Sequence, residues 1–231
     1  MRLHRFYIEQ PLGEELVVVE KELVHQWISV FRYKSGDEVI LFSSKQLGVD
    51  YIYRITSSTK KEVTLSVVST EKNILPSKSV TLCMAIVKKD TFENVVRYAT
   101  ELGVTKIVPI LAERSEKKNI NMERLHLIAT EASEQCGRGD VPVISGIMKF
   151  AEAFQNLSGT HVFTSLYGED AKTVAGNTKE ELCVWIGPEG GWTKDEEALA
   201  ASKSASMMKL TDTVLRADTA AIVALSQVVL A

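Results

Sequence analysis

The sequence predicts an α/β protein in two parts, a small β-barrel over residues 1–72 and a parallel sheet covered on both faces over residues 73–231. Three observations carry this. Short β-branched and aromatic segments with period-two alternation crowd the first part, as in Val49-Asp-Tyr-Ile-Tyr-Arg-Ile55 and Val63-Thr-Leu-Ser-Val67. Apolar runs of strand length alternate with helical patterns in the second. Within it the apolar run Leu182 to Ile186 enters a glycine-rich turn, Gly187 to Gly191, and Thr193 with Glu196 forms a capping box that opens a helix.

Taken in order, strands are predicted at Leu3 to Ile8, Leu16 to Val19, Asp37 to Phe42, Val49 to Ile55 and Glu62 to Val68, with one helix near Lys21 to Phe31. Asn73, Pro76 and Ser77 read as a linker. Thr81 to Val87 is a continuous apolar strand. Asp90 caps the next helix, whose buried face is Phe92, Val95, Val96, Ala99 and Leu102 and which ends at Gly103. A strand at Lys106 to Leu111 and a helix at Met122 to Gln135 follow, the latter buried through Leu125, Ile128, Ala129 and Ala132. Then come a helix near Phe150 to Leu157, strands at His161 to Ser165 and Met207 to Leu210, and a last helix from Arg216 to Leu230.

Composition narrows the function classes. The chain carries 27 basic and 30 acidic side chains, a net charge of −3, so no global charge points to nucleic acid. Local groups such as Arg5, Arg32, Lys88 with Lys89, and Arg114 could meet phosphate if the fold gathers them on one face; singly each also reads as a solvated surface charge. No apolar run approaches the roughly 20 residues of a membrane span, and Met1 to Gln10 lacks a signal peptide's apolar stretch, so a cytoplasmic location is expected. Cys83, Cys136 and Cys183 form no CxxC pair, and Cys83 and Cys183 lie within apolar strand-like runs, where buried free thiols are expected. The four histidines lack ligand spacing, so no metal is assigned.

Chemistry concentrates at two strand-to-helix junctions, Gly187 to Gly191 and Thr211 to Arg216, which fall at one edge of a parallel sheet. The first lacks both the dinucleotide and the phosphate-loop patterns. Gly190 and Gly191 allow close backbone approach, though a plain tight turn would look the same. Glu189 suits an uncharged or cationic ligand better than a polyanion. Arg216 and Asp218 at the second junction read either as site residues or as a local helix-terminal ion pair.

Six stretches in order resemble the ribosomal RNA small subunit methyltransferase E family of the SPOUT class of α/β-knot methyltransferases. They are His25-Gln-Trp-Ile-Ser-Val-Phe-Arg-Tyr-Lys-Ser-Gly-Asp37; Lys88-Lys-Asp90 with Ala99-Thr-Glu-Leu-Gly-Val104; Glu113-Arg-Ser115; Glu131-Ala-Ser-Glu-Gln-Cys-Gly-Arg138 with Val141-Pro142; Ile186-Gly-Pro-Glu-Gly-Gly191; and Leu215-Arg-Ala-Asp-Thr-Ala220. The pattern is departed from at Tyr98, Thr211, Thr213 and Asp218.

The resemblance implies a PUA-like RNA-binding barrel over residues 1–72, a methyltransferase domain with a trefoil knot over 73–231, and a homodimer. It implies S-adenosylmethionine as methyl donor, held by Leu166, Ile186, Gly187, Glu189, Gly190, Gly191, Leu210, Leu215 and Thr219, and methylation of a uridine N3 in 16S rRNA, with that RNA within the small ribosomal subunit as the expected partner. Arg216 and Asp218 become the catalytic candidates, and Arg5, Arg32, Lys88, Lys89, Arg114 and Arg138 the RNA contacts. Two other functions fit such a scaffold: a related knotted RNA methyltransferase with another target, and a catalytically silent RNA-binding assembly factor.

Overall fold

The computed structural model describes residues 3–176 and 181–230. The chain separates into two compact units, Met1–Leu75 with Ser133–Asp140, and Pro76–Ala132 with Val141–Ala231.

In the first unit, strands β1 (Arg5–Tyr7), β2 (Glu15–Val18), β3 (Glu38–Phe42), β4 (Val49–Ser58) and β5 (Val63–Lys72) form one sheet in the order β1-β3-β4-β5-β2. Only the β1–β3 pair is parallel. Period-two alternation turns Val39 and Leu41, Tyr53 and Ile55, and Val63 and Leu65 into one buried face. No ladder joins the edge strands β1 and β2 among the described residues, so the expected barrel is seen as an open five-stranded sheet. Strands β4 and β5 outrun their apolar patterns, because backbone pairing as far as Val49 with Lys72 carries the polar ends. The expected helix divides into α1 (Lys21–His25) and a π-helical turn, Gln26–Val30. Fully buried Trp27 lies in that widened turn and meets Phe6 edge-on at 5.2 Å.

A buried ion pair ties this unit to the segment Ser133–Asp140. Arg5 is only 8% exposed; its Nε and Nη2 donate to the Asp50 carboxylate at 2.8 and 2.7 Å, and its Nη1 donates to the carbonyl of Arg138 at 3.1 Å. The guanidinium also lies 4.4 Å from the Phe42 ring centroid. Arg138, 6% exposed, pairs with Asp140 at 2.9 and 2.8 Å. Both arginines therefore leave the set of expected RNA contacts: their charges are consumed inside the unit, where carboxylates and carbonyls offset the cost of desolvation. The Tyr7 amide donating to Glu134 and the Gly139 amide donating to the Ile74 carbonyl complete the attachment, which no contiguous boundary at residue 72 could include.

The second unit holds β6 (Val80–Ala85), α2 (Lys89–Glu101), β7 (Lys106–Leu111), α3 (Met122–Cys136, whose last turn belongs to the first unit), β8 (Val143–Ile144), β9 (Met148–Lys149) and α4 (Phe150–Asn156). Next come β10 (Thr160–Asp170), α5 (Ala171–Gly176), β11 (Leu182–Ile186), α6 (Lys194–Ser202), β12 (Ser206–Lys209) and α7 (Ala217–Leu230). The sheet runs β12-β10-β11-β6-β7-β8, with β9 also on β7, and every pair is parallel. Leu82, Met84, Leu182 and Val184 face Phe92 and Val95 of α2, Leu125 of α3 and Leu225 of α7. The alternate residues Cys83, Ala85, Cys183 and Trp185 face Phe150 and Phe154 of α4 and Ala200 of α6. Cys83 and Cys183 are buried free thiols. The sheet is thus apolar on both faces because helices cover both.

Three local expectations change. Helix α2 begins at Lys89 after Lys88, which makes no side-chain cap, so Asp90 sits inside the first turn and acts through its charge on the helix dipole. Strands β8 and β9, two residues each, are too short to show a period. Strand β10 extends to Asp170 through a register shift between Thr164 and Glu169, where a Cβ on Gly168 would collide with the Met207 backbone.

His161 on β10 accepts a 2.9 Å hydrogen bond at Nδ1 from Trp185 Nε1 and stacks on Phe154 at 4.5 Å. Burial lowers its pKa below the ordinary 6.5. The folded protein thus holds fewer protons here than the unfolded chain, so this contribution is full above about pH 6.5 and is lost as pH falls through the depressed value. The fall in melting temperature between pH 7.5 and pH 5.0, read by calorimetry, is expected to be smaller in His161→Gln; an equal fall in both proteins would contradict it.

Candidate functional site

Three neighbouring strands, β12, β10 and β11, deliver their carboxyl ends to one edge of the sheet, beside the β11–β6 junction where strand order reverses. Such a switch point opens a crevice between diverging loops. Here it is a cavity of about 380 Å³, large enough for a small ligand. Thr164, Ser165, Leu166 and Tyr167 of β10 form one wall, Ile186 to Trp192 a second, and Leu210, Thr211, Thr213, Val214 and Leu215 a third. Arg114, Glu197, Ala217 and Ala220 close it.

Local sequence explains the second wall. The capping box is present: Thr193 Oγ1 accepts the Glu196 amide at 3.3 Å and Glu196 Oε2 accepts the Thr193 amide at 2.9 Å. The preceding turn is closed by the Gly191 amide on the Pro188 carbonyl, with Gly191 in the left-handed region at φ 67° that only glycine adopts cheaply. A Cβ on Gly187 would lie 3.1 Å from Trp192 Nε1, and one on Gly190 would lie 3.3 Å from Arg114 Cβ. At both, a side chain would press its neighbour by a few tenths of an ångström.

Leu166, Ile186, Gly187, Glu189, Gly190, Gly191, Leu210 and Leu215 all line the cavity, as the sequence reading expects of a ligand site. Thr219 does not. Its amide turns to Asp218 Oδ1 at 2.9 Å, and helical spacing gives the wall to Ala217 and Ala220, three residues apart. Arg216, exposed, and Asp218, half-buried, flank the third wall without lining it. No ion pair joins them among the described residues, and the local-pair reading receives no support. Arg32, Lys88 and Lys89 are exposed. Sequence reasoning missed Glu197, which the capping box at Thr193 could have placed on the first turn of α6, and Trp192, whose buried Nε1 has no hydrogen-bond partner among the described residues. Arg114 was assigned to RNA; here its Nη1 donates to the carbonyls of Gly190 and Trp192 at 2.9 and 3.1 Å.

The chemistry offered is that of a mostly apolar slot with bare backbone and two carboxylates, Glu189 and Glu197. A ligand with a flat heterocycle and a cationic centre suits it. Residues 74–229 match the family model of the RNA methyltransferase domain, which is the class this sheet and cavity define. Ribosomal RNA small subunit methyltransferase E of Rickettsia conorii is 28% identical over 99% of this chain and 96% of its own, and that of Synechocystis 31% identical over 95% and 74%. A methyltransferase of Legionella pneumophila solved in complex with S-adenosylmethionine superposes with a TM-score of 0.89 at 25% identity, covering 99% of this chain and 97% of that one. The ribosomal RNA small subunit methyltransferase E of Neisseria gonorrhoeae, also bound to S-adenosylmethionine, gives 0.86 at 25% identity, covering 97% and 96%. The chain belongs to the ribosomal RNA small subunit methyltransferase E family.

Proposed function

We propose that this protein uses S-adenosylmethionine to methylate N3 of a specific uridine in 16S rRNA. The observation that carries the reading is the cavity at the register shift of β10 and the ends of β11 and β12, lined by the bare backbone of Gly187, Gly190 and Gly191. S-adenosylmethionine supplies an activated methyl group on a sulfonium. Backbone groups of Ile186, Gly187, Gly190 and Leu215 would hold its adenosine, and Glu189 and Glu197 favour its cationic side. No phosphate-binding motif competes for the slot.

What remains for the protein is alignment and help with proton loss from a weakly acidic imide. Arg216, just outside the cavity and exposed, is suited to orient a uracil that enters from solvent and to stabilise negative charge developing on its carbonyl oxygens. Asp218 and Glu189 stand as the acceptors of the proton. Such a base must be unstacked to reach the slot, so a single-stranded or splayed rRNA segment is the substrate, with Arg32, Lys88 and Lys89 available for its phosphates. The same reading makes residues 1–72 a PUA-like RNA-binding domain, gives the catalytic domain of residues 73–231 a trefoil knot, and has the protein act as a cytoplasmic homodimer. Support for a second copy comes from α7, where Ile222 and Val223 stay half-exposed on an apolar helix.

Methyl transfer from labelled donor into small subunits stripped of this modification, followed by nucleoside mass spectrometry, tests it. N3-methyluridine at one position is expected; a different methylated nucleoside would replace the target. Arg216→Ala is expected to fold normally and to lower kcat about 100- to 1000-fold. Unchanged turnover would remove Arg216 from the reaction.

A further inference from the structure

We propose that Arg114 and Glu196 are paired positioning residues that clasp the turn after β7 to the loop after β11 and so hold the cavity's second wall ready for its ligand. The inference rests on the reading of that cavity as the methyl-donor site. Three hydrogen bonds make the clasp, all donated from the β7 side to acceptors on the β11 side, and a fourth fastens Glu196 within its own helix cap. From the β7 side, Arg114 Nη1 donates to the carbonyls of Gly190 and Trp192, 76 and 78 residues away in sequence. From the β11 side, Glu196 Oε1 accepts the Glu113 amide at 2.9 Å while Oε2 accepts the Thr193 amide. Glu196 is 7% exposed, so its carboxylate is committed to these two amides.

The physical need follows from the loop itself. Gly187, Gly190 and Gly191 make it adaptable but costly to order, since glycine surrenders the most backbone freedom. Among the described residues, the one backbone hydrogen bond within the turn is the Gly191 amide on the Pro188 carbonyl. The clasp supplies the rest from outside, and the aliphatic stem of Arg114 lies against Gly190, where any Cβ would press on it. Ordering the loop before the ligand arrives removes that cost from binding. Arg114 thereby acts through backbone, and its charge serves two protein carbonyls ahead of any RNA phosphate.

The test uses the intact protein with Arg114→Met, which keeps the stem and removes the donors, Arg114→Lys, which restores a cationic donor, and Glu196→Gln, which keeps one acceptor. Hydrogen exchange of residues 187–193 is read without ligand, S-adenosylmethionine affinity by calorimetry, and the KM for small subunits by methyl transfer. Arg114→Met is expected to speed loop exchange and to weaken S-adenosylmethionine about ten- to thirtyfold, with the subunit KM moving less than about twofold. Arg114→Lys should recover part of both losses, and Glu196→Gln should show a smaller loss of the same kind. Unchanged exchange and affinity with a raised subunit KM would overturn the clasp and return Arg114 to RNA contact. Parent protein that fails to bind S-adenosylmethionine while Arg114→Met still speeds loop exchange would overturn the cofactor reading and leave the clasp standing.

Discussion

Arg5→Ala is expected to destabilise the first unit by about 3–5 kcal/mol, the cost of leaving one member of a buried ion pair without its partner. Asp50 has an exposure of 14%, and with Arg5 gone its carboxylate would keep only the Asn73 side-chain amide, 2.9 Å from Oδ1. The carbonyl of Arg138 would lose the Arg5 donor as well, so the segment Ser133–Asp140 should loosen with the sheet. Urea denaturation with hydrogen exchange resolved by peptide would register both. Arg5→Lys should recover little, because an ammonium cannot bridge both Asp50 oxygens and a carbonyl at once. A loss below about 1 kcal/mol, with exchange in residues 133–140 unaltered, would show that the pair is not what fastens the segment.

Gly190→Val is expected to weaken S-adenosylmethionine binding by at least about tenfold while the protein stays folded. A single Cβ already sits 3.3 Å from Arg114 Cβ and 3.5 Å from its Cδ, and valine adds two further carbons to a place where backbone and stem touch. Either the loop shifts into the cavity or Arg114 is pushed from its carbonyls; both damage the same wall. In the double variant with Arg114→Ala the loss should therefore be smaller than the sum of the two single losses, since each removes part of what the other depends on. Calorimetric titration of the four proteins gives the comparison. Strict additivity would mean that the two residues act on the ligand independently.

Much of the fold was legible before any coordinates. The strands Lys106–Leu111 and Leu182–Ile186 and the capping box at Thr193 stand where the sequence puts them, because a continuous apolar run between polar breaks, or a Thr with Glu three residues on, has few other solutions. Leu166, Leu210 and Leu215 were legible only through resemblance, and their place on the cavity wall follows from β10 and β12 lying side by side next to β11. Thr219 falls outside the cavity lining because a motif read as a string ignores helical phase: Ala217 and Ala220 share the face that reaches the cavity.

By itself the sequence determined the α/β class, the parallel sheet and the glycine turn after β11, since these depend on local periodicity and on the backbone freedom of residues without side chains. Only the tertiary structure decided what the basic residues do. Arg5, Arg114 and Arg138 look alike along the chain, yet Arg5 is spent on Asp50, Arg138 on Asp140, and Arg114 on two carbonyls of the ligand loop. A guanidinium takes its role from the acceptors that folding brings within about 3 Å, and in two of these three cases the acceptor lies dozens of residues away.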